Sequence, residues 1–74
     1  MPKTVSGIAL VKFLSKKGFV VYSRKGSHVK MISSERKTKA IVPIHKTISR
    51  GTLQSIIKQT KLTEREIEEL WAEH

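Results

Sequence analysis

Residues 19–32, Phe19-Val20-Val21-Tyr22-Ser23-Arg24-Lys25-Gly26-Ser27-His28-Val29-Lys30-Met31-Ile32, decide the fold of this 74-residue chain. Phe19 to Arg24 is rich in β-branched and aromatic side chains and reads as a strand. Lys25-Gly26-Ser27 supplies a turn, and His28 to Ile32 resumes with alternating character, so the pair reads as a β-hairpin. Period two puts Val29 and Met31 on one face of the second strand and His28, Lys30 and Ile32 on the other. With the first face packed on helices, His28 and Lys30 look outward.

Working outward from the hairpin, Ser6 suits a helix N-cap, and Leu10, Phe13 and Leu14 follow at i, i+3, i+4 spacing. Gly18 is a natural residue just past the end, so a first helix runs from about Gly7 to Lys17, with Phe13 in the core. On the other side, Ser33 to Lys39 is a polar, mostly cationic loop. Ala40-Ile41-Val42 is a third strand, ended by Pro43, which cannot donate to a ladder. Ser49 or Thr47 caps the next helix, whose apolar stripe is Leu53, Ile56 and Ile57. Gly51 lies in its first turn, a residue type suited to a close backbone approach, and the helix ends near Lys61. Thr63-Glu64-Arg65-Glu66 forms a capping box that opens a final helix with Ile67, Leu70 and Trp71 as its buried stripe. The acidic face of that helix is expected to look to solvent. The order α-β-β-β-α plus a short C-terminal helix is an α+β fold, one domain over residues 1–74. Its three-stranded antiparallel sheet carries helices on one face and leaves the other open. Such a two-layer domain favours shallow binding of an extended ligand over a deep small-molecule cavity.

Charge narrows the partner. The formal net charge is +9, and it is unevenly spread. Residues 1–61 hold fourteen of the fifteen Lys and Arg and one acid, Glu35, whereas residues 62–74 hold the other five acids and only Arg65. A basic body of this kind attracts phosphate backbones, so nucleic acid is the expected partner, ahead of an acidic protein or of mere solubility. A chain this short buries only about 60% of its unfolded surface, and with no cysteine it has neither disulfide nor thiolate site to support it. The apolar run Ile8 to Val11 is too short for a membrane span or a signal core, so a cytoplasmic protein with no membrane partner is expected.

The residue types restrict the chemistry further. There is no Asp, and five of the six Glu fall in the last eleven residues, so a carboxylate cluster for two-metal phosphodiester cleavage can hardly form elsewhere. His28, His45 and His74 lack tight metal-ligand spacing, Ser23 or Ser27 beside His28 lacks a third triad member, and no phosphate-cradling Gly-rich loop is present. No metal and no small-molecule cofactor are expected. Metal-free RNA cleavage remains, because its nucleophile is the substrate's own 2′-hydroxyl. The protein then needs only a proton acceptor that works near neutrality and cations at the phosphate. His28 can serve, with Arg24, Lys25 or Lys30 at the phosphate, and Gly26 and Ser27 complete the expected RNA-contacting set. DNA lacks the 2′-hydroxyl, so the mechanism is confined to RNA. The plainer reading of His28 is a surface or phosphate-binding residue in a noncatalytic RNA-binding module. His45 reads as a loop hydrogen-bonder or as a second residue lining the same site. Tyr22 and Trp71 read as strand-face or core residues before base-stacking platforms.

The opening helix ending Lys17-Gly18-Phe19, the turn Arg24-Lys25-Gly26-Ser27-His28, the segment Val42-Pro43-Ile44-His45 and the run Gly51-Thr52-Leu53-Gln54-Ser55-Ile56-Ile57 together resemble the HicA (YcfA-like) toxins of HicA–HicB toxin–antitoxin pairs. The resemblance covers nearly the whole chain. It implies a double-stranded-RNA-binding-like fold and an mRNA-cleaving toxin whose catalytic histidine maps to His28. It also implies a HicB-type antitoxin that covers the active site. The acidic helix from Thr63 onward lies beyond the pattern.

Overall fold

The computed structural model describes residues 4–73. The lead-in before Thr4 and His74, expected to be unimportant, lie outside the described residues. The order is α1 (Gly7–Lys16), β1 (Val20–Lys25), β2 (His28–Ser33), β3 (Thr38–Pro43), α2 (Arg50–Thr60) and α3 (Glu64–Glu73). The sheet is antiparallel throughout, in the order β1-β2-β3. This is the α+β, double-stranded-RNA-binding-like architecture expected from the sequence.

Local chemistry sets the helix ends. The Ser6 hydroxyl accepts the Ala9 N–H at 3.1 Å, capping α1. At the other end Gly18, at φ +94°, lets the chain turn back so that the Phe19 N–H reaches the Leu14 carbonyl at 3.0 Å and the Gly18 N–H reaches that of Ser15 at 3.3 Å. These two bonds are those of a Schellman cap, and they deliver Phe19 into the core, where it is 1% exposed, before the strand begins at Val20. Of the two candidate caps for α2, Ser49 is the one used, and its hydroxyl accepts the Thr52 N–H. The capping box of α3 is reciprocal: the Glu66 N–H donates to the Thr63 hydroxyl at 3.2 Å and the Thr63 N–H donates to the Glu66 carboxylate at 3.0 Å.

The core lies between one face of the sheet and the helices. Val29, Met31, Ala40 and Val42 from the sheet bury against Leu10, Phe13 and Leu14 of α1, Leu53 and Ile56 of α2 and Leu70 of α3. The opposite face is open and mixed in character. Its rows are Lys25–His28–Pro43, Ser23–Lys30–Ile41 and Val20–Ile32–Lys39. Ile41 and Val20 stay exposed there, and the Lys39 ammonium lies 5.7 Å from the centroid of the Tyr22 ring.

Two expectations are corrected. The β1–β2 turn has two residues, Gly26 and Ser27, and Lys25 belongs to β1, opposite His28. Gly26 at φ +59° supplies the left-handed first position that a two-residue hairpin turn requires. The residue thereby gained in pairing is taken up by a bulge at Tyr22, between Val21 opposite Met31 and Ser23 opposite Lys30. β3 likewise begins two residues earlier than expected, at Thr38, and includes Pro43.

The acidic face of α3 does not simply look to solvent. Glu66 forms a bidentate pair with Arg36 in the β2–β3 turn, one arm at 2.9 Å, Glu69 pairs with Lys17, the C-cap of α1, and Glu73 pairs with Lys16 in its last turn. The Lys16–Glu73 pair is exposed and adds little, and in Lys17–Glu69 the carboxylate stays partly exposed. Arg36–Glu66 is different: both side chains are mostly buried, at 21% and 14% exposed, and the guanidinium also bonds the Lys61 carbonyl and lies over the Phe19 ring. The Arg36 hydrogen bond, helped by the Thr63 N–H and opposed by burial, holds the Glu66 carboxyl down at about 2, from an ordinary value of 4.5. A carboxylate lowered in the folded state stabilises fully above its unfolded value and loses that contribution as pH falls through the folded one. Stability is therefore expected to drop by about 2–3 kcal/mol between roughly pH 5 and pH 2 from this group. Urea titrations of wild type and Glu66→Gln test it: the gap between them should be widest at neutral pH and close toward pH 2.

Candidate active site

His28 opens β2, and the ladder sets what stands opposite it. Pro43 is its cross-strand partner, and the Ile44 N–H, one residue further on, donates to the Ser27 carbonyl at 2.6 Å. His28 and Pro43 thus form a non-hydrogen-bonded pair, the kind in which facing side chains stand closest, and proline sits there at no cost to the ladder. The same bond ties the turn that carries His28 to the segment that carries His45.

That second segment is held from below as well. The Gly7 N–H donates to the His45 carbonyl at 2.9 Å, and the Ile48 N–H donates to the Val5 carbonyl at 2.9 Å. Gly7 is required for space: a Cβ there would lie 2.1 Å from the Pro43 carbonyl oxygen and 2.7 Å from the Ile44 Cα. Helix α1 can therefore start hard against the Pro43–His45 backbone only because residue 7 has no side chain. Gly51 behaves otherwise, since a Cβ there would meet nothing within 4 Å, and the close approach expected at that position does not occur within the described residues.

The result is a groove of about 340 Å³ lined by His28, Ile41, Pro43, His45, Thr47, Ile48, Ser49 and Thr52. Its lining brings both imidazoles together with Ser49 and Thr52 at the N-terminus of α2, where the helix dipole presents positive potential. Both histidines are exposed, and neither side chain has a hydrogen-bond or ion-pair partner among the described residues. Lys25 and Lys30 share the open face with His28. Arg24 does not: it opposes Val29, whose side chain faces the helices, and its Nε bonds the Gly26 carbonyl at 3.4 Å. The Tyr22 bulge makes this exchange, setting Lys25 into the row that uninterrupted pairing would have given to Arg24. Gly26 and Ser27 are exposed at the turn. Thr47, Ser49 and Thr52 were not singled out as site residues from the sequence, because small hydroxyl residues before and within a helix read first as caps. Among the described residues no three of His, Cys, Asp or Glu gather as metal ligands would.

An exposed imidazole on a cationic open face is a general arrangement, but the whole chain narrows it. The family model for the HicA toxin of bacterial toxin–antitoxin systems matches residues 9–62. The chain belongs to the HicA toxin family. No curated protein matches the chain. The match begins inside α1 and ends after α2, so it spans His28, His45 and the groove and stops short of α3. Membership in a toxin–antitoxin family implies an antitoxin as partner for this HicA toxin. Among the described residues no helix is long and apolar enough to cross a membrane.

Proposed function

We propose that this HicA toxin is a metal-independent endoribonuclease acting on mRNA in the cytoplasm, with His28 as its catalytic histidine, and that a HicB-type antitoxin inhibits it by covering His28. The observation that carries the reading is the unencumbered imidazole at the start of β2, on an open face shared with Lys25 and Lys30 and beside the N-terminus of α2. RNA supplies its own nucleophile. His28 accepts the 2′-hydroxyl proton as the oxygen attacks phosphorus, and the lysines and the first N–H groups of α2 stabilise the charge that builds on the phosphoryl oxygens. Lys25, Gly26, Ser27 and Lys30 form the RNA-contacting strip. Arg24, on the other side of the sheet, approaches the backbone from the hairpin edge.

The purified toxin incubated with a labelled RNA in EDTA, next to an all-DNA strand of the same sequence, tests this directly. Cleavage of RNA alone, leaving 2′,3′-cyclic phosphate ends, is the expected result. Salt-sensitive binding of RNA without cleavage would replace the proposal with a noncatalytic binding module.

A further inference from the structure

Cleavage of an RNA phosphodiester moves two protons, and His28 accounts for one. The 5′-oxygen that leaves is a poor leaving group unless it is protonated as its bond to phosphorus breaks. We propose that His45 is a second catalytic residue, the general acid that delivers this proton. The inference rests on the nuclease reading above.

Three observations support it. His45 lines the same groove as His28, and Ile41 and Pro43 are among the residues that line it with them. By ladder and chain spacing, the Cα of a residue two past the partner of His28 lies at most roughly 12 Å from the Cα of His28, so both side chains can address one linkage. At about 340 Å³ the groove is at the small end of ligand-sized clefts and suits a single phosphodiester more than a length of duplex. Second, the His45 imidazole is exposed and has no partner among the described residues, so the structure gives it no structural hydrogen bond. Third, its backbone is fixed where a plain surface loop would be free. The Gly7 N–H holds its carbonyl, and the preceding Ile44 N–H is bonded to the residue next to His28. An imidazole with a free tip on an anchored backbone is what a positioned proton donor requires.

The step balances. His28 removes the proton from the 2′-oxygen, the bond from that oxygen to phosphorus forms, and the bond from phosphorus to the 5′-oxygen breaks. Protonated His45 gives its proton to that 5′-oxygen. A 2′,3′-cyclic phosphate and a 5′-hydroxyl end result, with no co-reactant.

The test changes the leaving group. A ribonucleoside 3′-(4-nitrophenyl phosphate) releases a phenolate that needs no proton, whereas RNA releases an alkoxide that does. His45→Ala and His45→Asn should lose about a hundredfold or more on RNA and less than tenfold on the aryl ester, while His28→Ala loses on both. The wild-type pH–rate profile on RNA should be bell-shaped, and the His45 variants should lose its alkaline limb, where the acid is deprotonated. An equal loss on both substrates, or a profile that keeps both limbs, overturns the assignment and leaves His45 a positioning residue at most. Full activity of the His45 variants on RNA overturns it outright. Wild type inert on both substrates would instead refute the nuclease reading, and this inference with it.

Discussion

His28→Ala is expected to cripple RNA cleavage and leave the fold standing. The expected loss is roughly a hundredfold to ten-thousandfold, the range for removing a positioned general base. Stability should stay within about 0.5 kcal/mol of wild type, as for an exposed side chain away from core and caps, because His28 is exposed and has no partner to lose. RNA binding should persist with its steep salt dependence, since Lys25 and Lys30 are untouched. A gel assay in EDTA, a thermal melt and a binding titration at two salt concentrations read all three. Expressed in cells, the wild type should arrest growth and the variant should be tolerated. Cleavage by His28→Ala at the wild-type rate, with contamination excluded, would sink the assignment.

Gly7→Ala should be the most damaging conservative change in the chain. The added methyl would lie 2.1 Å from the Pro43 carbonyl oxygen and 2.7 Å from the Ile44 Cα, and both are backbone atoms that no rotamer change can move aside. Either α1 shifts off the sheet or the Pro43–His45 segment is pushed outward, and in both cases the Gly7–His45 hydrogen bond is lost. Overpacking of this kind costs about 1–3 kcal/mol and sometimes more, worth roughly 5–20 °C in Tm for a domain of this size. Cleavage should fall further than stability, because Pro43 and His45 of the displaced segment line the groove. Gly51→Ala is the matched control: the site is open, the residue is helical, and the change should be neutral or slightly stabilising. A Gly7→Ala protein with wild-type Tm and activity would show that α1 can retreat without consequence, and the role given to residue 7 would fall.

Much of this was legible in the sequence because it is local. The Ser6 cap, the Gly18 turn, the Thr63–Glu66 box and the alternation that turns His28 away from Val29 and Met31 each depend on residues a few positions apart, where steric preference and hydrogen-bonding reach decide the outcome. Tertiary structure alone decided the rest. Whether the hairpin closes with three residues or with two and a bulge is a matter of register across the sheet, and the register adopted set Lys25 on the face of His28 and Arg24 off it. The ion pairs that hold α3 join residues 30 to 57 positions apart, so its acidic face carried no signal of the cations awaiting it. Gly7 looked like an ordinary first residue of a helix, because the backbone it must clear lies on β3 and beyond. His28 and His45 became one site through a bond from Ile44 to Ser27, which ties the segment after β3 to the turn before β2. The sequence by itself determined the elements and the outward side chain; packing between distant segments determined what stands next to it, because only there do non-local sterics and charge enter.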